Sequence, residues 1–322
     1  MPHPARRTQG PEDFRLKHSL HAIFASLTLL AAAPAFAAEV SAHPLLDFAR
    51  ERPRNPERVA LMPAAVAAEL REAEHALERA QAPSDAECAA SLGARRYAEL
   101  HGAVGVARGF TGDFAGAARA YRRAHACRPR DAGMLAALAG ALFDARAYAD
   151  ARVAANAGLV IDPRDVSLNR IVGNLDYIDE HWADAIARFR YVAASDENRE
   201  QAGYGQLMYY LAQMRAGMDN PQLVERTPGE GWPQPLLLYL RGEYSEAELI
   251  APILFGDHAD NDQPNTSTDE RLCEALFYVG EAYLARGEPQ VARDYFTALV
   301  NVKVLYFLEH GLALAEITKL RK

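Results

Sequence analysis

Three segments of 34 residues follow one another without a gap, 98–131, 132–165 and 166–199, and agree column by column. A period this short is the strongest constraint in the chain, because one such unit cannot bury an apolar face and its copies must stack. The eighth position reads Gly105, Ala139, Gly173, the seventeenth Phe114, Tyr148, Trp182, and the twentieth Ala117, Ala151, Ala185. The twenty-fourth reads Tyr121, Ala155, Phe189, and positions thirty-one and thirty-two read Arg128-Pro129, Asp162-Pro163 and Asp196-Glu197. Small residues at eight and twenty let two antiparallel helices cross closely. The aromatic at seventeen plugs the turn between them, and Pro after the second helix ends it.

This column pattern resembles the tetratricopeptide repeat (TPR), departing from it at Glu197, where Pro is usual. The resemblance implies an all-α, helix-turn-helix solenoid wound as a right-handed superhelix, closed by N- and C-terminal capping helices. A fourth copy begins near Cys273, with Val279, Gly280, Tyr283, Gly287, Ala292 and Phe296 in register. The intervening residues, 200–272, have room for two degenerate units. Tyr204 to Gly217 and Trp232 to Leu240 read as helices, and Ser245-Glu246-Ala247-Glu248 as a capping box opening a third. Pro63 precedes an amphipathic helix with Val66, Leu70, Ala73 and Leu77 on one face, suited to cap the first repeat or to meet the same helix of a second copy. Leu305, Leu308, Leu312, Ala315 and Leu320 make a closing helix. The expected organisation is 1–37 leader, 38–97 N-terminal segment with a helical cap, 98–199 three repeats, 200–272 degenerate repeats with an acidic loop from Asp257 to Glu270, and 273–322 last repeat and cap.

Arg15, Lys17 and His18 precede an apolar run from Leu20 to Ala33, and Pro34-Ala35-Phe36-Ala37-Ala38 follows. This is the charge, core and A-x-A order of a secretory signal, with cleavage expected after Ala37; the alternative is a short membrane anchor. No cysteine lies near the cleavage point, so the lipid-attachment box is absent and the expected location is the periplasm. The whole chain has a formal charge of −8, and loss of the leader's basic residues makes the remainder more acidic. Phosphate backbones are therefore poor partners, and no later stretch has the roughly 20 apolar residues of a membrane span.

The sequence holds three cysteines, Cys88, Cys127 and Cys273. An oxidising compartment permits a Cys88–Cys127 bridge, which would stabilise the fold by roughly 4 kcal/mol through loop closure, and two reduced buried thiols are the alternative. Glu270 and Glu274 beside Cys273 disfavour a reactive thiolate. No G-x-S-x-G, H-E-x-x-H, Walker loop, G-x-G-x-x-G or C-x-x-C occurs after the leader. Asp260-Asn261-Asp262 lacks the Gly and Glu of a calcium loop, so neither metal nor cofactor is expected. Glu309-His310 is the one acid and base pair that could serve a hydrolase, and a packing role is the simpler reading.

A solenoid binds on its concave face. In the TPR register, positions two, five, nine and twelve of the first helix line that face. They give Glu99, Gly102, Val106, Gly109; Gly133, Ala136, Gly140, Phe143; and Ser167, Arg170, Asn174, Tyr177. The first two sets are nearly bare and the third is polar and aromatic. Arg170 and Asn174 stand one turn apart and would face the same ligand group. The arrangement resembles the Lys and Asn clamp with which some repeat proteins hold a peptide's terminal carboxylate. Arg170, Asn174, Tyr177 and Phe143 are therefore the expected core of a peptide groove; in the alternative, Arg170 pairs with a neighbouring carboxylate.

Beyond the generic repeat, Leu168-Asn169-Arg170, the stretch Leu207 to Met214, Trp232, Leu238-Tyr239-Leu240-Arg241-Gly242 with Ser245-Glu246, Phe277 to Leu284, and Glu309-His310 with Ala313 resemble NlpI-type periplasmic adaptors. The resemblance covers roughly residues 90–320. It implies a non-enzymatic, homodimeric scaffold that brings a processing protease to a cell-wall hydrolase in envelope or peptidoglycan maintenance. The missing anchor cysteine is a departure from that family. A solenoid component of an outer-membrane assembly or polysaccharide export machine is the competing expectation.

Overall fold

The left-handed backbone shows the repeat most directly. Gly112, Arg146, Glu180 and Gly287 have φ of 77°, 61°, 60° and 80°, and all four occupy position fifteen of their units. This residue turns the chain between the two helices of a unit. Glycine takes the conformation freely, whereas Arg146 and Glu180 adopt it against a steric cost. In the computed structural model the described residues are 41–51, 64–79, 92–195, 199–224, 232–255, 268–304 and 307–321. The leader, Cys88, Glu197 and Asp260-Asn261-Asp262 lie outside them.

Among the described residues the chain is all helical, with fourteen helices and no strand. They are α1 Pro44–Glu51, α2 Ala64–Arg79, α3 Leu92–Phe110, α4 Phe114–Cys127, α5 Ala132–Asp144, α6 Tyr148–Ile161, α7 Val166–Ile178 and α8 Trp182–Ala193. There follow α9 Arg199–Arg215, α10 Gln234–Leu240, α11 Glu246–Phe255, α12 Thr268–Ala285, α13 Pro289–Val302 and α14 Leu308–Lys319. Helices α3/α4, α5/α6, α7/α8 and α12/α13 pack as adjacent pairs, and α4 to α9 also touch in succession. From His43 onward the described helices belong to one compact unit.

The sequence columns explain the pairing. A Cβ built on Gly105 would stand 2.7 Å from the Tyr121 ring, one on Gly173 2.9 Å from Phe189, and one on Gly280 2.7 Å from Phe296. Position eight is thus the hole that the position-twenty-four aromatic fills, which forbids a larger residue there. Asp131 and Asp165, at position thirty-four, cap the next unit by accepting from the Met134 and Leu168 amides at 3.0 and 2.8 Å. The Ser245 capping box forms as expected, with Glu248 accepting from the Ser245 amide at 2.7 Å.

Three features differ from the sequence expectations. The segment 38–97 does not act as one cap, because α2 packs on α3 while α1 packs on α11, α12 and α13. Leu45 and Leu46 of α1 are buried, and His43 stands 3.1 Å from the Tyr283 hydroxyl. The helix α14 does more than close the end, since it touches α12 and α13 and also reaches α5 and α7. The expected acidic loop is shorter at its C-terminal side, because Thr268, Asp269 and Glu270 already form the first turn of α12. No helix among the described residues is long and apolar enough to cross a membrane.

Candidate functional site

Where α14 and α12 face α5 and α7, a cavity of about 800 Å3 remains. Its repeat wall is the set expected from register: Gly133, Ala136, Gly140 and Phe143 from α5, and Ser167, Arg170 and Asn174 from α7. Gly140 is bare toward the cavity, with nothing within 4 Å of a Cβ built there. The opposite wall comes from Tyr204 and Met208 of α9, Glu274 and Tyr278 of α12, and Phe307, Leu308 and Glu309 at the start of α14. The size is that of a small-ligand or short-peptide pocket.

Arg170 and Asn174 meet in this cavity, each with an unmade bond. Asn174 is 1 % exposed, and its Oδ1 has no hydrogen-bond partner. The Nε of half-buried Arg170 is buried and unpartnered as well. Among the described residues Arg170 closes no direct ion pair with a carboxylate. Burial works against its charge, while Glu309 and Asp144 favour it from a distance. A desolvated donor and a desolvated acceptor one turn apart are costly unless a ligand or water satisfies them.

Phe143 contributes its ring to the wall at 2 % exposure and packs against Tyr148, with ring centres 5.3 Å apart. Tyr177 does not line the cavity, which corrects its place in the expected groove. At 1 % exposure it sits in the core, and its hydroxyl donates to Glu281 at 2.6 Å. Position twelve of the third unit points past the cavity into the contact between α7 and α12. The first-unit residues Glu99, Gly102, Val106 and Gly109 are not part of the cavity either.

The carboxylates around the cavity were the part that register reasoning missed. Burial pushes the Asp144 carboxyl up to about 7, with Arg170 pulling it down. Burial likewise raises Glu309 to about 7, against a backbone hydrogen bond and Arg170. Glu274 is raised well above the carboxylate range, by burial first and by Glu309 second. Its oxygens accept from the Tyr204 hydroxyl at 2.8 Å and from the Trp232 indole N–H. The available signal was α12 itself, whose residues Arg271 to Tyr283 are all buried. A helix that buries every side must be covered all round, although the charged Arg271, Glu274 and Glu281 hid this in the sequence.

Behind this wall a polar network ties the elements together. Arg215 on α9 pairs with Glu281, which is fully buried, and reaches Glu316 on α14 at 3.9 Å. Lys319 bridges Glu316 and Glu180 at 2.8 and 3.2 Å. The Arg215 guanidinium lies 5.2 Å over the Trp182 ring, at position seventeen, and 5.8 Å over Tyr177. The fold-back helix is therefore fastened to the repeats by charge as well as by apolar packing.

Glu309 faces the cavity whereas His310 does not line it. His310 has an unpartnered Nε2 and a pKa lowered by burial. The two do not form the acid and base pair that their adjacency suggested, since neighbours in a helix point about 100° apart. Cys127 is disulfide-bonded, and Cys88, its expected partner, lies outside the described residues. Cys273 carries a free buried thiol whose pKa burial raises, with Glu309, Glu274 and Glu270 adding to the effect. Among the described residues no group of three or more His, Cys, Asp or Glu is placed to hold a metal ion. A search of protein-family models finds no match to the chain.

Proposed function

We propose that the protein is a non-enzymatic, TPR-type binding scaffold, acting in the periplasm, that holds a segment of a partner polypeptide in the cavity between α5, α7 and the fold-back wall of α12 and α14. One observation carries this reading. The cavity is lined by the residues that the repeat register assigns to a concave face, and it contains Arg170 and Asn174 with polar atoms left unbonded. Gly140, with nothing within 4 Å of a Cβ built on it, leaves room for a ligand backbone, and Phe143 and Met208 line the cavity with apolar groups.

The right-handed superhelix, the role as an adaptor in envelope or peptidoglycan maintenance, and pairing with a protease and a cell-wall hydrolase belong to the same proposal. The resemblance in residues 90–320 supports them. A pool of random acetylated nonapeptides, offered to the protein and to Arg170→Ala, tests the reading. The protein is expected to retain peptides, and the variant, with an unchanged circular dichroism spectrum, to lose most of them. Equal retention by both, or none by either, would overturn the cavity as the binding site.

A further inference from the structure

The charges facing the cavity do not balance. Among the described residues Arg170 is the sole cation of its lining, while Asp144 and Glu309 both act on that guanidinium without closing an ion pair on it. Of the other carboxylates there, Asp165 caps the Leu168 amide, and Glu274 accepts from Tyr204 and Trp232. Asp144 and Glu309, which burial raises to about 7, leave one negative charge uncompensated against one guanidinium once both ionise above that pH, and Glu270 is a further carboxylate of the lining. An incoming carboxylate would meet Asp144 and Glu309 at Arg170, so the pocket opposes the chain-terminus clamp that the Arg and Asn spacing suggested.

A second, independent feature is the pair of orphaned groups. The Oδ1 of Asn174, on a side chain 1 % exposed, lacks a donor, and the Nε of Arg170 lacks an acceptor. One acceptor and one donor a helical turn apart match a neutral amide, whose N–H and C=O point in opposite directions. Neither atom calls for a net charge in its ligand.

We propose that the cavity takes an internal, extended stretch of polypeptide bearing a lysine or arginine side chain, its backbone amide held between Arg170 and Asn174 and its side-chain cation placed by Asp144 and Glu309. This rests on the peptide-binding reading above and adds which part of a chain enters and with what charge. A cation in the pocket favours ionised Asp144 and Glu309, so binding strengthens as pH rises through about 7, where both titrate. The other groups facing the pocket do not reverse this sign. Tyr204 and Tyr278 are raised further from neutrality by burial, and Glu274 remains the acceptor for Tyr204 and Trp232. Glu309 and Asp144 both favour the Arg170 charge. Asp165 remains a cap, and Glu270 lies a helical turn before Glu274 on α12.

The experiment is calorimetric titration at pH 5.5 and pH 8 with three probes: Ac-Ala-Lys-Ala-NH2, Ac-Ala-Glu-Ala-NH2 and Ac-Ala-Ala-Ala with a free carboxylate. The lysine amide is expected to bind at least about tenfold more tightly than either other probe at pH 8. It should weaken at pH 5.5, and Asp144→Asn with Glu309→Gln should remove both the preference and the pH dependence. Preference for the free carboxylate, or binding that strengthens toward pH 5.5, would overturn the inference while leaving peptide binding intact. Binding of none of the probes, with random nonapeptides still retained, would also overturn it. Loss of both would fall on the reading itself. The pH profile of the unaltered protein keeps the test decisive even where the double variant fails to fold.

Discussion

The two walls of the cavity are built on opposite terms. The repeat wall, α5 and α7, is fixed by short-range columns: Ala139 and Gly173 at position eight, matched by Ala155 and Phe189 at twenty-four, and the aspartate caps Asp131 and Asp165 at thirty-four. Toward the cavity Gly140 leaves it open, and Arg170 and Asn174 each have a buried polar atom without a bond. The fold-back wall, α12 and α14, is held against the repeats by bonds between residues 104 and 139 positions apart, Tyr177 to Glu281 and Lys319 to Glu180. Periodic sequence shapes a surface and leaves it open, whereas non-local polar bonds decide how that surface is covered.

Breaking the fold-back wall should have the largest effect. Arg215→Ala leaves Glu281 buried without its cation, and a loss of about 3–5 kcal/mol is expected in urea unfolding. A loss under about 1 kcal/mol would mean that charge does not fasten α12 and α14 to the repeats.

The cavity between the two walls should carry a pH signature. Asp144 and Glu309 have folded pKa values raised above their unfolded ones. The stability associated with their protonated forms is full below their unfolded values, near 4, and is lost as pH rises through about 7. In His101, whose pKa burial lowers to about 4, the sign is opposite: its contribution is lost as pH falls below about 6.5. Comparison with Asp144→Asn/Glu309→Gln separates the two, because the histidine is common to both proteins. The variant's advantage should grow from pH 5 to pH 8, to roughly 2 kcal/mol after allowing for water in the cavity. A difference that is flat with pH would place these carboxylates in a wetter site than the structure has.

Glycines in the repeat wall should respond with opposite signs. Gly173→Ala forces a Cβ against Phe189 and should cost about 1–3 kcal/mol. Gly140→Ala points into open space and should stabilise α5 by about 0.5–1 kcal/mol. Thermal unfolding of the pair measures both, and the same sign for the two would break the contrast between packed and bare positions. The smallest effect is at the turn: Arg146→Gly relieves a left-handed arginine and should raise stability by up to about 1 kcal/mol.

How much could be read from the sequence follows the same division. The helical pairs of 98–199, the Ser245 cap and the placing of Arg170, Asn174 and Phe143 on one surface were legible because each depends on residues within one period. Tyr177 was misplaced because register alone cannot tell a surface from a contact with a distant helix, here through Glu281. Helix α1 escaped notice because eight residues hold too few turns for a periodic signal. Its docking on α11 to α13 depends on Leu45 and Leu46 finding a distant site. The roles of Asp144, Glu274 and Glu309 were hidden for the same reason, since a carboxylate becomes part of a pocket only when a remote helix buries it.

The most direct test of the central claim is to fill the cavity from its bare wall. Gly140→Leu places a side chain where no atom lies within 4 Å of the Cβ, so the fold should persist. Retention of random nonapeptides by this variant is then compared with that of the unaltered protein. The account predicts native-like thermal unfolding together with loss of peptide retention. Full retention by a folded Gly140→Leu protein would contradict it and move the binding surface away from this cavity.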